Sequence, residues 1–170
     1  RHLTALLEHE PSHGEGWLLR GIVAMQRRAY ADAAQSFTQA KHLGADQRKA
    51  TMGVVMAAIG DNRPEAAWKH ICELCAHEPD DEECMHWLLR CGTMLHRWNE
   101  VGARLSAFLG RNPGSLAMRF AFAGVLLRAG RRGDAQREYE CLRALAPDME
   151  GMDELGRQLA APQLAPDHAA

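Results

Sequence analysis

Apolar residues recur every three or four positions along almost the whole chain, as in Trp17, Gly21 and Ala24. This spacing puts them on one face of a helix, whereas the strict alternation typical of strands is absent. Good helix formers such as Ala, Leu, Arg, Glu and Gln fill the sequence, and aromatic residues make up only 6% of it. The pattern predicts an all-α fold of roughly ten helices with about 10–15 residues each.

Short turn signals, such as Gly60-Asp61-Asn62-Arg63-Pro64, interrupt these helical segments at regular intervals. Pro79, Pro113 and Pro147 are each 34 residues apart. Pro11 fits the same spacing, with Ala45 at the intermediate position. A fixed period of this length is typical of a helical repeat. The spacing predicts four repeats, which we number 1 to 4, at residues 14–47, 48–81, 82–115 and 116–149.

Repeat 1 resembles the tetratricopeptide repeat (TPR) family, whose pattern of small and large residues it follows at Trp17, Gly21, Tyr30, Ala33, Phe37 and Ala40. Arg20 stands where the family usually has Leu, and repeat 2 diverges most, with Thr51 in place of Trp and Pro64 opening its second helix. The resemblance implies a right-handed superhelical array of antiparallel helix pairs. It also implies a core that contains Trp17, Ala33, Phe37, Ala67, Ile71, Leu105, Phe108, Ala135, Tyr139 and Leu142.

The ends of such an array need caps, because each repeat buries its apolar face against its neighbours. We interpret residues 1–13 as the second helix of a truncated preceding repeat, residues 150–161 as a C-terminal capping helix, and residues 162–170 as a tail or linker. The start at Arg1 rather than Met suggests a piece of a longer protein.

Charge and composition exclude several classes of protein. With 46% hydrophobic residues and a formal net charge of −2, the chain is neither disordered nor a general nucleic-acid binder. It has no apolar run long enough to span a membrane. Its five cysteines are irregularly spaced, which favours free thiols in a reducing compartment, and we predict a cytoplasmic, bacterial protein.

Two groups of residues were considered as metal or catalytic sites. His9-Glu10-Pro11-Ser12-His13 has the spacing of a zinc-protease motif, but Pro11 would break the helix that this chemistry needs. The second group combines cysteines with histidines: Cys72, Cys75, Cys84, Cys91, His70, His77 and His86. Two of its cysteines lie one helical turn apart and could share a zinc ion, yet buried free thiols are the preferred interpretation.

Charged clusters have ordinary structural interpretations. The acidic run at residues 80–83 could bind a cation, but it precedes a helix, where carboxylates cap amide groups. Arg128, Arg131 and Arg132, with Arg119 nearby, could contact a polyanion or lie at a solvated helix end. The sequence contains no phosphate-binding glycine loop and no plausible catalytic triad. We predict that the chain is not an enzyme and holds no metal or cofactor.

The TPR resemblance implies that the first helix of each repeat lines a concave groove. The inward positions are the second, fifth, ninth, twelfth and thirteenth, and they are unusually apolar for a solvated surface. We predict that they bind an apolar segment of a protein partner, and that Met52, Met56, Ile22 and Phe120 are its anchors. The full set is Leu18, Ile22, Met25, Gln26, Lys49, Met52, Met56, Ile59, Glu83, His86, Arg90, Met94, Phe120, Leu127 and Arg128.

Three alternatives to a groove that binds a partner are consistent with the sequence. Neighbouring repeats or the terminal helix could cover the inward residues, since helical interiors also use methionine freely. The chain could be a scaffold that self-associates through the open ends of the array, where Leu3, Leu6 and Leu159 would be exposed. It could also be an accessory domain of a larger bacterial enzyme, such as a glycosyltransferase or methyltransferase. None of these involves nucleic acid or a membrane.

Overall fold

The computed structural model describes residues 2–161, except for the side chains of His2 and Thr4. This part of the chain forms ten α-helices and no strand, so the predicted all-α class is confirmed. The predicted tail at residues 162–170 lies outside the described residues. The helices are α1 (His2–His9), α2 (Gly14–Gln26), α3 (Tyr30–His42), α4 (Gln47–Gly60), α5 (Pro64–His77), α6 (Glu82–Met94), α7 (Trp98–Arg111), α8 (Leu116–Arg128), α9 (Arg132–Leu145) and α10 (Met152–Ala160).

Side chains that accept from free backbone amides set the start of several helices. The Asp46 carboxylate accepts from the amide of Lys49 at 2.9 Å and begins α4. The Asp81 carboxylate accepts from the amides of residues 83 and 84 and begins α6. At the start of α2 the same role falls to His13, whose Nδ1 accepts from the Gly16 amide at 2.9 Å. These contacts satisfy donors that a helix leaves unpaired in its first turn.

The turn between the two helices of each repeat has one residue in the left-handed region. These residues are Arg28 (φ 59°), Asn62 (φ 55°), His96 (φ 54°) and Gly130 (φ 76°), and each follows the last by 34 positions. The next amide in each turn donates to the carbonyl five residues earlier, as from Ala29 to Ala24 at 2.9 Å. This bond is typical of the Schellman motif that ends helices. The 34-residue period of the sequence is therefore a period of backbone conformation as well.

The helices form two compact units, which divide between Arg97 and Trp98. The boundary falls between the two helices of predicted repeat 3 rather than between repeats, which the sequence pattern did not indicate. We call helices α1–α6 the N-terminal unit and helices α7–α10 the C-terminal unit.

In the N-terminal unit each helix packs against the next one along the chain. The Phe37 ring of α3 is 3% exposed and lies between two helical glycines. A Cβ atom placed on either Gly21 of α2 or Gly53 of α4 would come within 2.6 Å of that ring. Because only glycine leaves this space, the two positions allow α2, α3 and α4 to meet around one aromatic side chain.

In the C-terminal unit α8 packs between α7 and α9, and α10 packs on α9. The Arg119 guanidinium of α8 donates to the Glu138 carboxylate of α9 at 2.7 Å, with both side chains mostly buried. Arg132, at the start of α9, donates to backbone carbonyls at Leu159 and Ala161. These bonds satisfy acceptors at the end of α10 and hold it in place as the last helix of the described chain.

Eight of the ten predicted core residues are buried, from Ala33 at 0% to Phe37 at 3% exposed. Trp17 and Tyr139 are half-buried instead. The Trp17 indole donates to the Pro11 carbonyl at 2.8 Å and lines a surface cavity. The Tyr139 hydroxyl lies over Gly156, where an added Cβ atom would be 2.7 Å away. Both are large residues with a polar group, so partial exposure is consistent with their chemistry.

No helix within residues 2–161 combines the length and the apolar composition needed to cross a membrane.

Candidate interaction groove

A concave pocket of about 320 Å³ lies between α2 and α4 in the N-terminal unit, with the first turn of α6 at its edge. We call it the apolar groove. Eight of the residues predicted for the inward face line it together, five apolar and three polar or charged: Leu18, Ile22, Met25, Met52 and Met56, with Gln26, Lys49 and Glu83. The remaining lining residues are Phe37, Arg48 and Gly53.

Helical spacing explains how the two helices build this surface. Leu18, Ile22 and Met25 follow one another at intervals of four and three residues on α2, and Met52 and Met56 do so on α4. Side chains at these intervals lie on one face of a helix. The two stripes therefore face the same pocket, and the glycine at position 53 lets the Phe37 ring reach it from behind.

The groove has a buried floor and an accessible rim. Leu18 and Met52 are each only 5% exposed and form the floor. Ile22 is 43% exposed, and Met25 and Met56 are half-buried. An apolar side chain that entered the groove would remove the surfaces of these last three from water, which is the favourable part of most protein associations.

Charged residues at one end of the groove are already bound to each other. The Arg48 guanidinium donates to Glu78 at 2.7 Å, to Asp81, and to Glu83 at 3.0 Å. Its bond to Asp81, followed by those to the two glutamates, raises the pKa of Arg48. Burial raises the pKa of the Asp81 carboxyl, but the bonds from Arg48 and a backbone amide outweigh this and leave that pKa below its usual range. This network fixes α4 to the α5–α6 turn and leaves the floor of the groove apolar.

The other predicted residues of the N-terminal unit lie outside the apolar groove. Ile59 is 5% exposed and belongs to the core. His86 and Arg90 are exposed on α6, where they line a shallow depression of about 450 Å³. The Arg90 guanidinium lies 5.4 Å from the centre of the Trp87 ring. Met94, near the end of the same helix, is 36% exposed.

In the C-terminal unit two of the equivalent positions of α8 contact nearby parts of the same unit. Phe120 is half-buried, and its ring lies so close to Gly151 that an added Cβ atom there would be 2.8 Å away. The Arg128 guanidinium donates to the Gly124 carbonyl at 3.2 Å and lies 5.7 Å from the centre of the Trp98 ring. Leu127 is half-buried.

Comparison with solved structures identifies the fold. YrrB, described as a TPR protein with an unusual peptide-binding site, is similar to 91% of this chain over 80% of its own length, with a TM-score of 0.77 and 15% identity. A MamA structure matches 96% of this chain over 84% of its own, with a TM-score of 0.71 and 15% identity. MamA from Desulfovibrio magneticus RS-1 gives a TM-score of 0.72 at 14% identity, covering 88% of this chain and 85% of its own. The chain has the TPR fold.

This result confirms the resemblance that repeat 1 carries in the sequence. A scan against protein-family models finds no match, and neither does a search of curated proteins. The assignment of the TPR fold therefore rests on the 34-residue period, on the packing positions and on the similarity of the three-dimensional structure.

Some residues of the groove were not anticipated from the TPR pattern. Phe37 was predicted as a core residue only, and Gly53 and Arg48 were not singled out at all. A glycine in the middle of a helix, as at position 53, is a signal for close packing that could have been noticed. The role of Arg48 depends on carboxylates thirty or more residues away, so no local pattern indicates it.

The residues considered for metal binding are engaged in other contacts. Ligand atoms of Glu78, Asp81 and Cys84 lie within 4.8 Å of one another and could hold a cation. However, Arg48 binds both carboxylates, and burial together with the charge of Asp81 raises the pKa of the Cys84 thiol to about 12. A thiol that stays protonated is a poor metal ligand. In the zinc-protease-like motif, Pro11 falls between α1 and α2, and the ring of His13 caps α2.

Proposed function

We propose that the chain is a protein-interaction module whose apolar groove binds an apolar segment of a partner protein. The observation that carries this proposal is the convergence of five apolar residues of the predicted inward face on one pocket of about 320 Å³. Ile22, Met25 and Met56 are the anchors, because they are the apolar lining residues that retain exposed surface. Leu18 and Met52 act as the floor that these anchors rest on.

The chemistry of the groove suits a varied apolar ligand. Methionine side chains are flexible and polarisable, so three of them in one pocket can adapt to side chains of different shape. A pocket of this size holds a few side chains rather than a whole domain. The ligand is therefore a short segment, either an amphipathic helix or an extended peptide. YrrB, which has the same fold, is described as having a peptide-binding site, and this supports the general class of ligand.

The proposal assigns no catalytic step to the chain. Two of the candidate groups have structural contacts, since His13 caps a helix and the Cys91 thiol contacts the Pro64 carbonyl at 3.0 Å. The small net charge of −2 disfavours nucleic acid as a partner. Protein segments are the ligand class that an apolar, methionine-rich pocket favours.

Peptides selected from a phage-displayed library against the whole chain test this proposal. We expect the selected peptides to share apolar residues at fixed spacing, and Met56→Glu to weaken their binding by about 1–3 kcal/mol, measured by fluorescence anisotropy. The melting temperature of this variant should stay nearly unchanged, because Met56 is only half-buried.

Leu145→Glu is the matched control, since Leu145 is 61% exposed at the end of α9 in the C-terminal unit. It introduces the same charge at a residue that does not line the groove and should leave peptide affinity as it is. If Met56→Glu unfolds the chain while the remaining folded protein still binds the peptides, Met56 is a core residue and the groove is covered. If both variants bind the peptides equally well, the binding site lies outside the groove.

A further inference from the structure

Helix α2 carries an exposed apolar ridge beside the groove. Among the described residues five large hydrophobic side chains are exposed. Three of them lie within five residues of this helix: Leu19 at 52%, Ile22 at 43% and Val23 at 37%. Their spacing of three and four residues puts them on one outer face. Such a continuous apolar stripe in water indicates an interaction surface.

Charges of opposite sign flank the ridge. Glu15 lies in the first turn of α2, and Arg27 is the residue that follows its last turn. Neither of them takes part in a salt bridge among the described residues. They are separated by twelve residues of helix, which is about 18 Å, so they cannot pair with each other within one chain.

Two residues of the ridge and the two charges are spaced symmetrically along the helix. Leu19 and Val23 are equally distant in sequence from Gly21, and so are Glu15 and Arg27. Gly21 itself faces the Phe37 ring on the buried side of α2, so the twofold axis would pass outside the helix, level with Gly21. Two copies of α2 that pack antiparallel about this axis would place Leu19 against the partner's Val23. The same register brings Glu15 towards the partner's Arg27. A surface with this property is self-complementary, as an interface between identical chains must be.

We propose that a second copy of this chain docks on the α2 ridge and forms a twofold symmetric dimer. A cavity of about 770 Å³ adjoins the ridge and supports this arrangement, because Val23, Trp17 and Leu7 line it together. It provides a recess beside each ridge for apolar side chains of the other copy. Glu8 and Arg20 also line the cavity, so both signs of charge are available at its rim.

The dimer does not depend on the apolar groove. Leu19 and Val23 are not among the residues that line the groove, and only Ile22 belongs to both surfaces. Substitutions at positions 19 and 23 therefore test the dimer and leave the groove floor intact.

Sedimentation velocity of the whole chain, from micromolar to near-millimolar concentration, measures this association. We expect the weight-average mass to rise from that of one 18.8 kDa chain towards two. Leu19→Glu and Val23→Glu should abolish the rise, since each puts a charge into an apolar contact. Circular dichroism melting checks the fold, and we expect melting temperatures close to that of the unsubstituted chain because both residues are exposed. Leu145→Glu, a charge at another exposed apolar residue, should leave the dimer as it is.

A charge reversal distinguishes this interface from any other. Glu15→Arg and Arg27→Glu should each weaken the dimer by about tenfold or more, because like charges then face each other. The double variant E15R/R27E should recover most of the affinity, which an effect within one chain cannot produce across about 18 Å. A chain that stays monomeric throughout, a dimer that survives Leu19→Glu, or a double variant no better than the singles would overturn the proposal.

Discussion

The first helix of a repeat carries different side chains at equivalent positions in the N-terminal and C-terminal units. At the ninth position of the repeat, α2 and α4 carry Ile22 and Met56, whereas α8 carries Gly124. In the N-terminal unit those side chains border an apolar groove. In the C-terminal unit the Arg128 guanidinium folds back over Gly124 and fills the equivalent space.

The fifth position shows the same contrast. Met52 forms the floor of a pocket that stays accessible, while Phe120 is covered by the turn at Gly151 that precedes α10. The repeat register determines which residues point inward in both units. Whether they remain accessible depends on the side chain of Arg128 and on the turn that precedes α10. This difference is the reason that the proposed binding site is confined to the N-terminal unit.

Replacing Phe37 or Phe120 with alanine should give the largest difference in stability between the two units. Phe37→Ala removes a ring that is 3% exposed between two glycines, and we expect it to lower the free energy of unfolding by about 3–5 kcal/mol. Phe120→Ala removes a half-buried ring that covers one turn, so its cost should be less than half as large. Urea denaturation followed by circular dichroism measures both. Equal losses would show that Phe120 is a core residue like Phe37.

Replacing one glycine with alanine should change the free energy of unfolding in opposite directions in the two units. The Cβ atom of Gly53→Ala would lie 2.6 Å from the Phe37 ring, so this variant should lose about 1–3 kcal/mol of stability by overpacking. The Cβ atom of Gly124→Ala would meet nothing closer than the Arg128 side chain at 3.5 Å. This variant should gain up to about 1 kcal/mol from helix propensity.

The same denaturation experiment compares the two glycine variants directly. A stable Gly53→Ala protein would mean that the Phe37 ring is free to move away, and that the groove floor is looser than its geometry indicates. A destabilised Gly124→Ala protein would mean that the arginine cover over α8 is tightly packed.

Much of this architecture is predictable because it depends on local periodicity. The helical class follows from spacing, and the TPR resemblance implies the small and large packing positions, as Ala33 and Leu105 illustrate with 0% exposure each. The inward face of α2 follows from the same register, and Ile22 is indeed accessible there.

What could not be predicted depends on contacts between distant residues. The division of the chain after Arg97 falls inside a repeat, and nothing in the 34-residue period indicates it. The cover over Phe120 comes from a turn thirty residues later. The network that holds Arg48 involves three carboxylates beyond the next helix. A repeat pattern contains no information about such contacts, because they occur once and not once per repeat.

The turns between paired helices give the smallest effects and the finest comparison between the units. Arg28 in the N-terminal unit and Gly130 in the C-terminal unit hold the same left-handed conformation, with φ of 59° and 76°. This conformation is strained for a residue with a Cβ atom and unstrained for glycine. We expect Arg28→Gly to gain about 0.5–1 kcal/mol and Gly130→Ala to lose about 1 kcal/mol. Asn62→Gly is the control and should change little, since asparagine tolerates this region. Thermal melts of the three variants measure these shifts, and a destabilised Arg28→Gly protein would show that the arginine side chain contributes more than its backbone strain costs.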